Sequence, residues 1–467
     1  MMFRTLLFAL AGVLVAAPLQ AAPTLNVLFI NVDDMNCDSV GAFGCKVPDI
    51  TPHIDKLASQ GIRFEHAHVT IAICQPTRAV WMTGRYPHRN GALGFNPIRP
   101  EVPTLLEGMK DAGYYTGIFA KVPHVVPTRR KAWDVIVDAN ELKTGRDPKL
   151  YYQASKDFFQ KAKGASKPFF LMANSQDPHR PFAGSAQEGK GKNFPAPSRT
   201  YKPDEVVVPG FLPDLPDVRK EIAQYFTSVH RADEIVGSIL RALDEAGLAD
   251  NTLVVFMSDH GMPLPFAKTN CWRHSTRTPW IVRWPGVVKP GRHDTKHLIA
   301  GIDLCPTILE ATGAPALKGM DGRSLLPILK GQDQSERDHV FTHINTTAGK
   351  SAFPMRSIQT RKYGYIFNAW ADGKTVFRNE SQSGLTMNAM KQAAQKDEAI
   401  AARVKHFLYR STEELYDYEK DPDALHNLID DPAYRKERDR LRALMLEEMK
   451  KTEDPQLAAF QKVLARE

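Results

Sequence analysis

Long apolar runs are scarce in this sequence of 467 residues. The longest, Leu6 to Ala17, falls short of the roughly 20 residues that a bilayer crossing needs, and no later stretch approaches it. Stable membrane insertion is therefore not expected. Internal repeats and low-complexity tracts are also lacking, which sets aside solenoid arrays. Net charge is +8, yet no block of Lys and Arg and no ladder of aromatics accompanies it, so no nucleic-acid partner is expected. A basic cleft for a polyanionic substrate fits better, beside the plain alternative of a basic, soluble surface. Cysteines number only five, at 37, 45, 74, 271 and 305. Cys37 and Cys45 flank a short Gly-containing loop and are the one candidate pair for a disulfide, which sequence alone does not establish.

What is present is an ordinary globular composition, 43% hydrophobic and 24% charged, long enough for one large core and a smaller second one. Residues 1–21 read as a secretory signal: Arg4 supplies the positive start, Leu6 to Ala17 the apolar centre, and Leu19-Gln20-Ala21 a small residue suited to cleavage. A periplasmic or secreted protein is the expectation. Beyond it, Asn26 to Val32 is a near-continuous apolar run that reads as a buried parallel strand ending at Asp33-Asp34. Thr51 and Pro52 open a helix, with Thr51 as its cap. Further strands are expected at Ile62 to Val69, Tyr115 to Ala120, Phe169 to Ala173, Thr252 to Ser258 and Trp280 to Trp284. Helices are expected at Leu105–Ala112, Tyr151–Lys163, Ile222–Ala246 and Asp303–Thr312. Gly184 to Pro216, rich in Pro, Gly and charge, reads as a long loop that could wall a pocket.

Repeated strand–helix alternation predicts an α/β fold: a mostly parallel sheet sandwiched by helices. The pattern changes near residue 340. Ser357 to Thr360 and Tyr363 to Asn368 alternate as strands of an antiparallel sheet, so the expected organisation is a catalytic domain over 22–340 and a smaller C-terminal α+β domain over 341–467. Successive strand ends of the first domain deliver Asp33-Asp34, Cys74, Lys121, His179 and Asp259-His260, the place where open α/β sheets bind ligands.

Cys74-Gln75-Pro76-Thr77-Arg78 is the stretch around which these ends gather. Pro76 suits the first turn of a helix, where its missing N–H is no loss. A group at position 74 then meets free backbone N–H groups and the positive end of the helix dipole, a site for sulfate or phosphate. Arg78, one turn on, shares that face. Asp33, Asp34 and Asp259 with His260 make a hard, mostly oxygen ligand set that favours Ca²⁺ or Mg²⁺ over zinc, and export tilts the choice to Ca²⁺. The cation would touch both a sulfate oxygen and the nucleophile at position 74. Lys121, His124, His179 and Lys268 supply fixed cations and proton carriers for charge that builds in the transition state. Arg180 and Trp272 are candidate sugar contacts, although a core position suits Trp272 equally well.

Cys-x-Pro-Thr-Arg followed by Thr83-Gly84-Arg85 resembles the signature of the type I sulfatases, whose fold is alkaline-phosphatase-like. The resemblance implies that Cys74 is oxidised to formylglycine by a sulfatase-maturating enzyme such as a formylglycine-generating enzyme, and that the aldehyde hydrate is the nucleophile. It further implies that Asp33, Asp34, Asp259 and His260 bind calcium, and that Arg78 and Lys121 bind sulfate and nucleophile. His124 would help break the hemiacetal sulfate, and His179 and Lys268 would contact sulfate or protonate the leaving atom. Within that family Asp177-Pro178-His179-Arg180, Gly261-Met262-Pro263-Leu264-Pro265, Lys268-Thr269-Asn270 and Glu414-Leu415-Tyr416-Asp417 resemble the heparan N-sulfatase branch. His260, the spacing of Lys121 and His124, and Lys268 in place of Arg depart from it, and the first two look more like the iduronate-2-sulfatase branch. The expected function is an exported sulfatase acting on the N-sulfate of glucosamine or an O-sulfate of a saccharide. Alternatives are an O-sulfatase on a uronate-type or algal glycan, a phosphatase or phosphonate hydrolase of the same superfamily, and a non-catalytic binder of sulfated glycan. The last predicts an unmodified Cys74. The oligomeric state is not legible in the sequence.

Overall fold

The computed structural model describes residues 25–188 and 194–465, so the expected signal segment lies outside the described residues. Among the described residues, twelve strands occupy two sheets. The larger contains β1 (Asn26–Asp33), β2 (Ile62–His68), β3 (Tyr115–Phe119), β4 (Val135–Val137), β5 (Phe169–Pro178), β6 (Thr252–Ser258), β7 (Trp280–Arg283) and β8 (Arg292–Ala300), in the order β4-β3-β5-β1-β6-β7-β2-β8. Every neighbouring pair is parallel except those made by β7, which runs against both β6 and β2.

β1 lies at the centre, parallel to β5 on one side and β6 on the other. All eight of its residues are buried, as its unbroken apolar run requires of a strand covered on both faces. Its side chains alternate between two cores: Leu28, Ile30 and Val32 point into one, Val27 and Phe29 into the other. Helices Pro52–Ser59, Pro148–Gly164 and Pro216–Glu245 supply the first core, and helices Leu105–Asp111 and Leu304–Thr312 the second.

The smaller sheet is antiparallel, in the order β12 (Glu413–Asp417), β11 (Tyr363–Asn368), β10 (Ala352–Gln359), β9 (Val340–Thr346). One face joins the first core through Ile344, Met355, Ile366 and Tyr416. The other packs Phe341, Ile358, Tyr365 and Leu415 against Leu441, Met445, Met449 and Phe460 of the two last helices, Arg435–Lys451 and Leu457–Leu464. β9 also bonds directly to the chain leading into Cys74: the His343 N–H donates to the Thr70 carbonyl at 2.7 Å.

Two local expectations are corrected, and one open question is answered. Thr51 does not cap the helix that begins at Pro52; its hydroxyl accepts from the Gly41 N–H and donates to Asp55. The capping carboxylate is Asp233, from the helix packed alongside, which accepts the N–H groups of His53 and Ile54 at 3.1 and 2.8 Å. The helix expected from Ile222 begins at Pro216, whose fixed φ starts it before the apolar periodicity does. Cys37 and Cys45 are both free thiols, so the candidate disulfide is not formed. No helix of the described residues is long and apolar enough to cross a membrane.

Candidate active site

Cys74 opens the helix Cys74–Thr83, as the first-turn proline predicts. Gly84 ends it in the left-handed conformation, at φ 61°. Every residue of the helix is buried, Arg78 included. That guanidinium spends its donors at the end of the sheet. Nη1 donates to Asn174 Oδ1 at 2.7 Å and to Asn31, and Nη2 to Asp259 Oδ2 at 3.0 Å. Asn31 and Asn174 pair across β1 and β5, Asn31 Nδ2 donating to Asn174 Oδ1 at 2.6 Å. Burial drives the Cys74 thiol pKa well above its ordinary value, so the unmodified side chain is a neutral thiol and a poor nucleophile.

The acidic groups converge on the same point. Asp33 ends β1, and Asp34 follows in the left-handed region at φ 70°. Asp33, Asp34, Cys74 and His260 present ligand atoms that all lie within 4.8 Å of one another. His260 Nε2 is 3.4 Å from Cys74 Sγ, and its Nδ1 is 3.3 Å from Asp34 Oδ1. Asp259 stands beside them, accepting from the Asp34 N–H at 3.0 Å and pairing with Arg78. Its carboxyl is held well below the usual range: His260 and then Arg78 outweigh the burial that opposes them. Gly261 is required next, because a Cβ there would sit 2.0 Å from the His274 carbonyl oxygen.

Two lysines balance the aspartates. Lys121 Nζ donates to Asp33 Oδ2, and Lys268 Nζ stands 2.8 Å from both oxygens of Asp34. Even so, neither Asp33 Oδ1 nor Asp34 Oδ1 accepts a well-directed hydrogen bond, although both are fully buried. Buried carboxylate oxygens left in that state suit a cation. Burial raises the Asp34 carboxyl to about 6 and lowers the Lys121 ammonium to about 7. Lys121 and the preceding Ala120 both have positive φ, as do Phe266 and Thr269 around Lys268. Such backbone costs about 1 kcal/mol or more per residue and gathers where the surrounding fold holds a site in place.

His124 lies on the short helix Val122–Val125, which packs against the helix of Cys74. Burial and then Lys121 push it down to about 3, and its buried Nδ1 makes no hydrogen bond. It is a neutral imidazole near neutral pH. His179 follows β5 with Nε2 4.0 Å from Asp34 Oδ2 and Nδ1 2.6 Å from the Arg180 carbonyl. Burial lowers its pKa well below the imidazole range.

The two sugar candidates separate. Arg180 lines a cavity of about 280 Å³, paired with Glu221 at 2.6 Å and lying over the Phe182 ring. Trp272 is only 2% exposed, with its Nε1 donating to Glu414 and the Arg410 guanidinium 3.7 Å from its ring centre. It is a core residue with no free face, which corrects the expectation of a sugar contact. A concavity of about 790 Å³ lies elsewhere, lined by His53, Gln60, Glu234 and Arg241 among others, and holds none of the site residues.

Sequence reasoning missed Asn31, Asn174, Arg146, Asp177 and Glu380. Arg146 and Arg231 both clamp the Asp177 carboxylate, which fixes the loop that carries His179. Glu380 comes from the segment after the second sheet's β11 and pairs with Lys268. Asp177 stood within a quoted motif but carried no assigned role, and nothing local marks Glu380.

The family model for sulfatases matches residues 25–314, and that for the C-terminal part of N-sulphoglucosamine sulphohydrolase matches residues 259–400. The chain is 29% identical to the human N-sulphoglucosamine sulphohydrolase, over 98% of this chain and 96% of that protein. It is 28% identical to an ulvan-active sulfatase of Formosa agariphila, over 89% and 78% of the two chains. Among solved structures, one in complex with its substrate D-glucosamine-2-N,6-O-disulfate is similar in fold, with a TM-score of 0.69 at 18% identity, covering 92% of this chain and 99% of that one.

Proposed function

This chain belongs to the sulfatase family, hydrolases of sulfate esters and sulfamates, and from that premise we propose that it removes sulfate from a sulfated saccharide, the N-sulfate of glucosamine first. One observation carries the choice. The match to the C-terminal model of N-sulphoglucosamine sulphohydrolase spans Asp259, His260, Lys268 and Glu380, four groups that act on Asp34 at the site.

Asp33, Asp34, Asp259 and His260 would hold Ca²⁺, and the two aspartate oxygens without directed hydrogen bonds support that assignment. Bound there, the cation would draw charge from the sulfuryl oxygens and favour the anionic nucleophile. Formylglycine at position 74 would supply that nucleophile as the hydrate of its aldehyde. Arg78 fixes the helix that presents position 74 and adds positive charge beneath it. Lys121 and Lys268 face the same point and stabilise charge as the S–O or S–N bond breaks. Lys268, kept charged by Asp34 and Glu380, gives the proton to the departing sugar nitrogen or oxygen, and His179 contacts the sulfate. His124, neutral and without a hydrogen bond at Nδ1, accepts the proton of the hydrate's second hydroxyl as sulfate departs and the aldehyde returns. The scheme requires conversion of Cys74 by a maturating enzyme during export to the periplasm or beyond. Arg180 is the proposed sugar contact, since it lines a cavity and directly follows His179 in the chain.

The test is to incubate the converted protein with defined heparin disaccharides that carry sulfate at N, 2-O or 6-O alone. The N-sulfated one is expected to release sulfate. Release from an O-sulfated disaccharide alone would instead favour an O-sulfatase, a reading that His260 and the Lys121–His124 spacing support. Hydrolysis of a nitrophenyl phosphate in preference to every sulfate would overturn both.

A further inference from the structure

A second cluster of metal-binding side chains lies outside this pocket. His88, from the helix Pro87–Asn90, His343, from β9, and Asp454, from the turn between the last two helices, present ligand atoms within 4.8 Å of one another. His88 Nδ1 is 3.8 Å and His343 Nδ1 3.9 Å from the same oxygen, Asp454 Oδ2. All three side chains are almost fully enclosed, at 6%, 0% and 0% exposure.

The hydrogen bonding leaves the centre of this cluster unsatisfied. His88 Nε2 is 2.8 Å from the Thr452 carbonyl and must donate to it, so in neutral His88 the Nδ1 lone pair faces the cluster. That nitrogen makes no hydrogen bond, and neither ring nitrogen of His343 makes one. A wholly buried imidazole with both nitrogens unsatisfied is costly. The surroundings hold the three groups in place. The rings of His88 and His343 are parallel to within 1°, and Tyr86 stacks on both. Arg356 Nε donates to Asp454 Oδ2 at 2.6 Å and is itself held by the carbonyls of Ile344 and Met355, which orients the carboxylate.

We propose that His88, His343 and Asp454 form a structural site for Zn²⁺ or a divalent cation of like softness, separate from the calcium pocket. Two imidazoles and one carboxylate suit zinc rather than calcium. Donors about 2.1 Å from a tetrahedral centre stand about 3.4 Å apart, so the 3.8 and 3.9 Å spacings to Asp454 need to close by about half an ångström. The ion would tie together three parts of the chain: the turn after the Cys74 helix, the strand whose N–H holds Thr70, and the C-terminal helical pair. It would thereby brace the segment that delivers position 74.

The experiment uses the full chain with calcium in excess, titrated with Co²⁺. One further equivalent is expected, with tetrahedral ligand-field absorption and no thiolate charge-transfer band. His343→Gln is expected to abolish that band and His88→Gln to weaken binding at least tenfold. X-ray absorption on the unsubstituted cobalt form reads the imidazole count without relying on any variant, and two are expected. No cobalt band, a thiolate band that places the ion at Cys74, fewer than two imidazoles, or a band unchanged in both folded variants would each overturn the proposal.

Discussion

Asp33 and Asp34 share one arrangement: each pairs with a lysine and keeps one buried oxygen without a directed hydrogen bond. Removing one of those lysines tests its charge directly. Lys121→Ala is expected to lower kcat by about 10²–10³ through loss of transition-state stabilisation, measured as sulfate release at saturating substrate. An unchanged kcat would remove Lys121 from the chemistry. His124 gives a test of proton transfer. Because burial holds it near 3, it stays neutral between about pH 5 and 8. His124→Ala should therefore lose about 10² or more in kcat by a factor that is constant across that range. A deficit that vanished below the ordinary imidazole pKa would show that His124 titrates there and serves another purpose. Much of this scale was legible: the acidic pair at the end of an apolar strand, and the cysteine–proline helix start, are local patterns. Trp272 was not, because a core ring and a sugar platform have the same sequence; only Glu414 and Arg410 around it decide.

At the scale of elements, the second sheet is tied to the first through buried charge. Glu414 of β12 accepts from Arg410 at 2.6 and 2.9 Å, from Trp272 at 3.0 Å and from Asn368 at 2.8 Å. Arg410 in turn reaches Asn270, two residues after Lys268. Arg410 and His406 hold the Glu414 carboxyl far below the usual glutamate range despite burial. A depressed folded pKa means that the unfolded chain takes up the proton first. The stability from this group is complete above the ordinary glutamate pKa and is lost as pH falls through the folded value. Glu414→Gln is expected to cost about 3–5 kcal/mol at neutral pH, since it leaves Arg410 buried without its partner, and to flatten the acid limb of the melting curve. A cost below about 1 kcal/mol with the acid limb unchanged would contradict this. The strand itself escaped the sequence reading because Glu413-Glu414-Leu415-Tyr416-Asp417 is too polar to look like one. β8 escaped similarly: as an edge strand it begins Arg-His-Asp-Thr-Lys, with no apolar run until Leu298. The Asp233 cap was hidden for another reason, since it reaches its helix across 180 residues of chain.

Across the whole molecule, the parallel sheet gathers one rim of groups from β1, β3, β5 and β6, and the later segment adds Glu380 to Lys268. The parallel arrangement was legible because buried strands and amphipathic helices alternate strongly along the first 300 residues or so. The contribution of the later segment was not, because it depends on tertiary docking: one face of the second sheet shares the first core, and Glu380 arrives on a single short 3-10 turn, Glu380–Ser383. The central claim is that this rim, with position 74 converted, forms a sulfatase pocket. The most direct measurement follows sulfate release from an N-sulfated glucosamine disaccharide across preparations whose fraction of formylglycine at position 74 is known from peptide mass. The account predicts release proportional to that fraction and absent in Cys74→Ala, which should still melt cooperatively. Equal release from fully unconverted protein would contradict it.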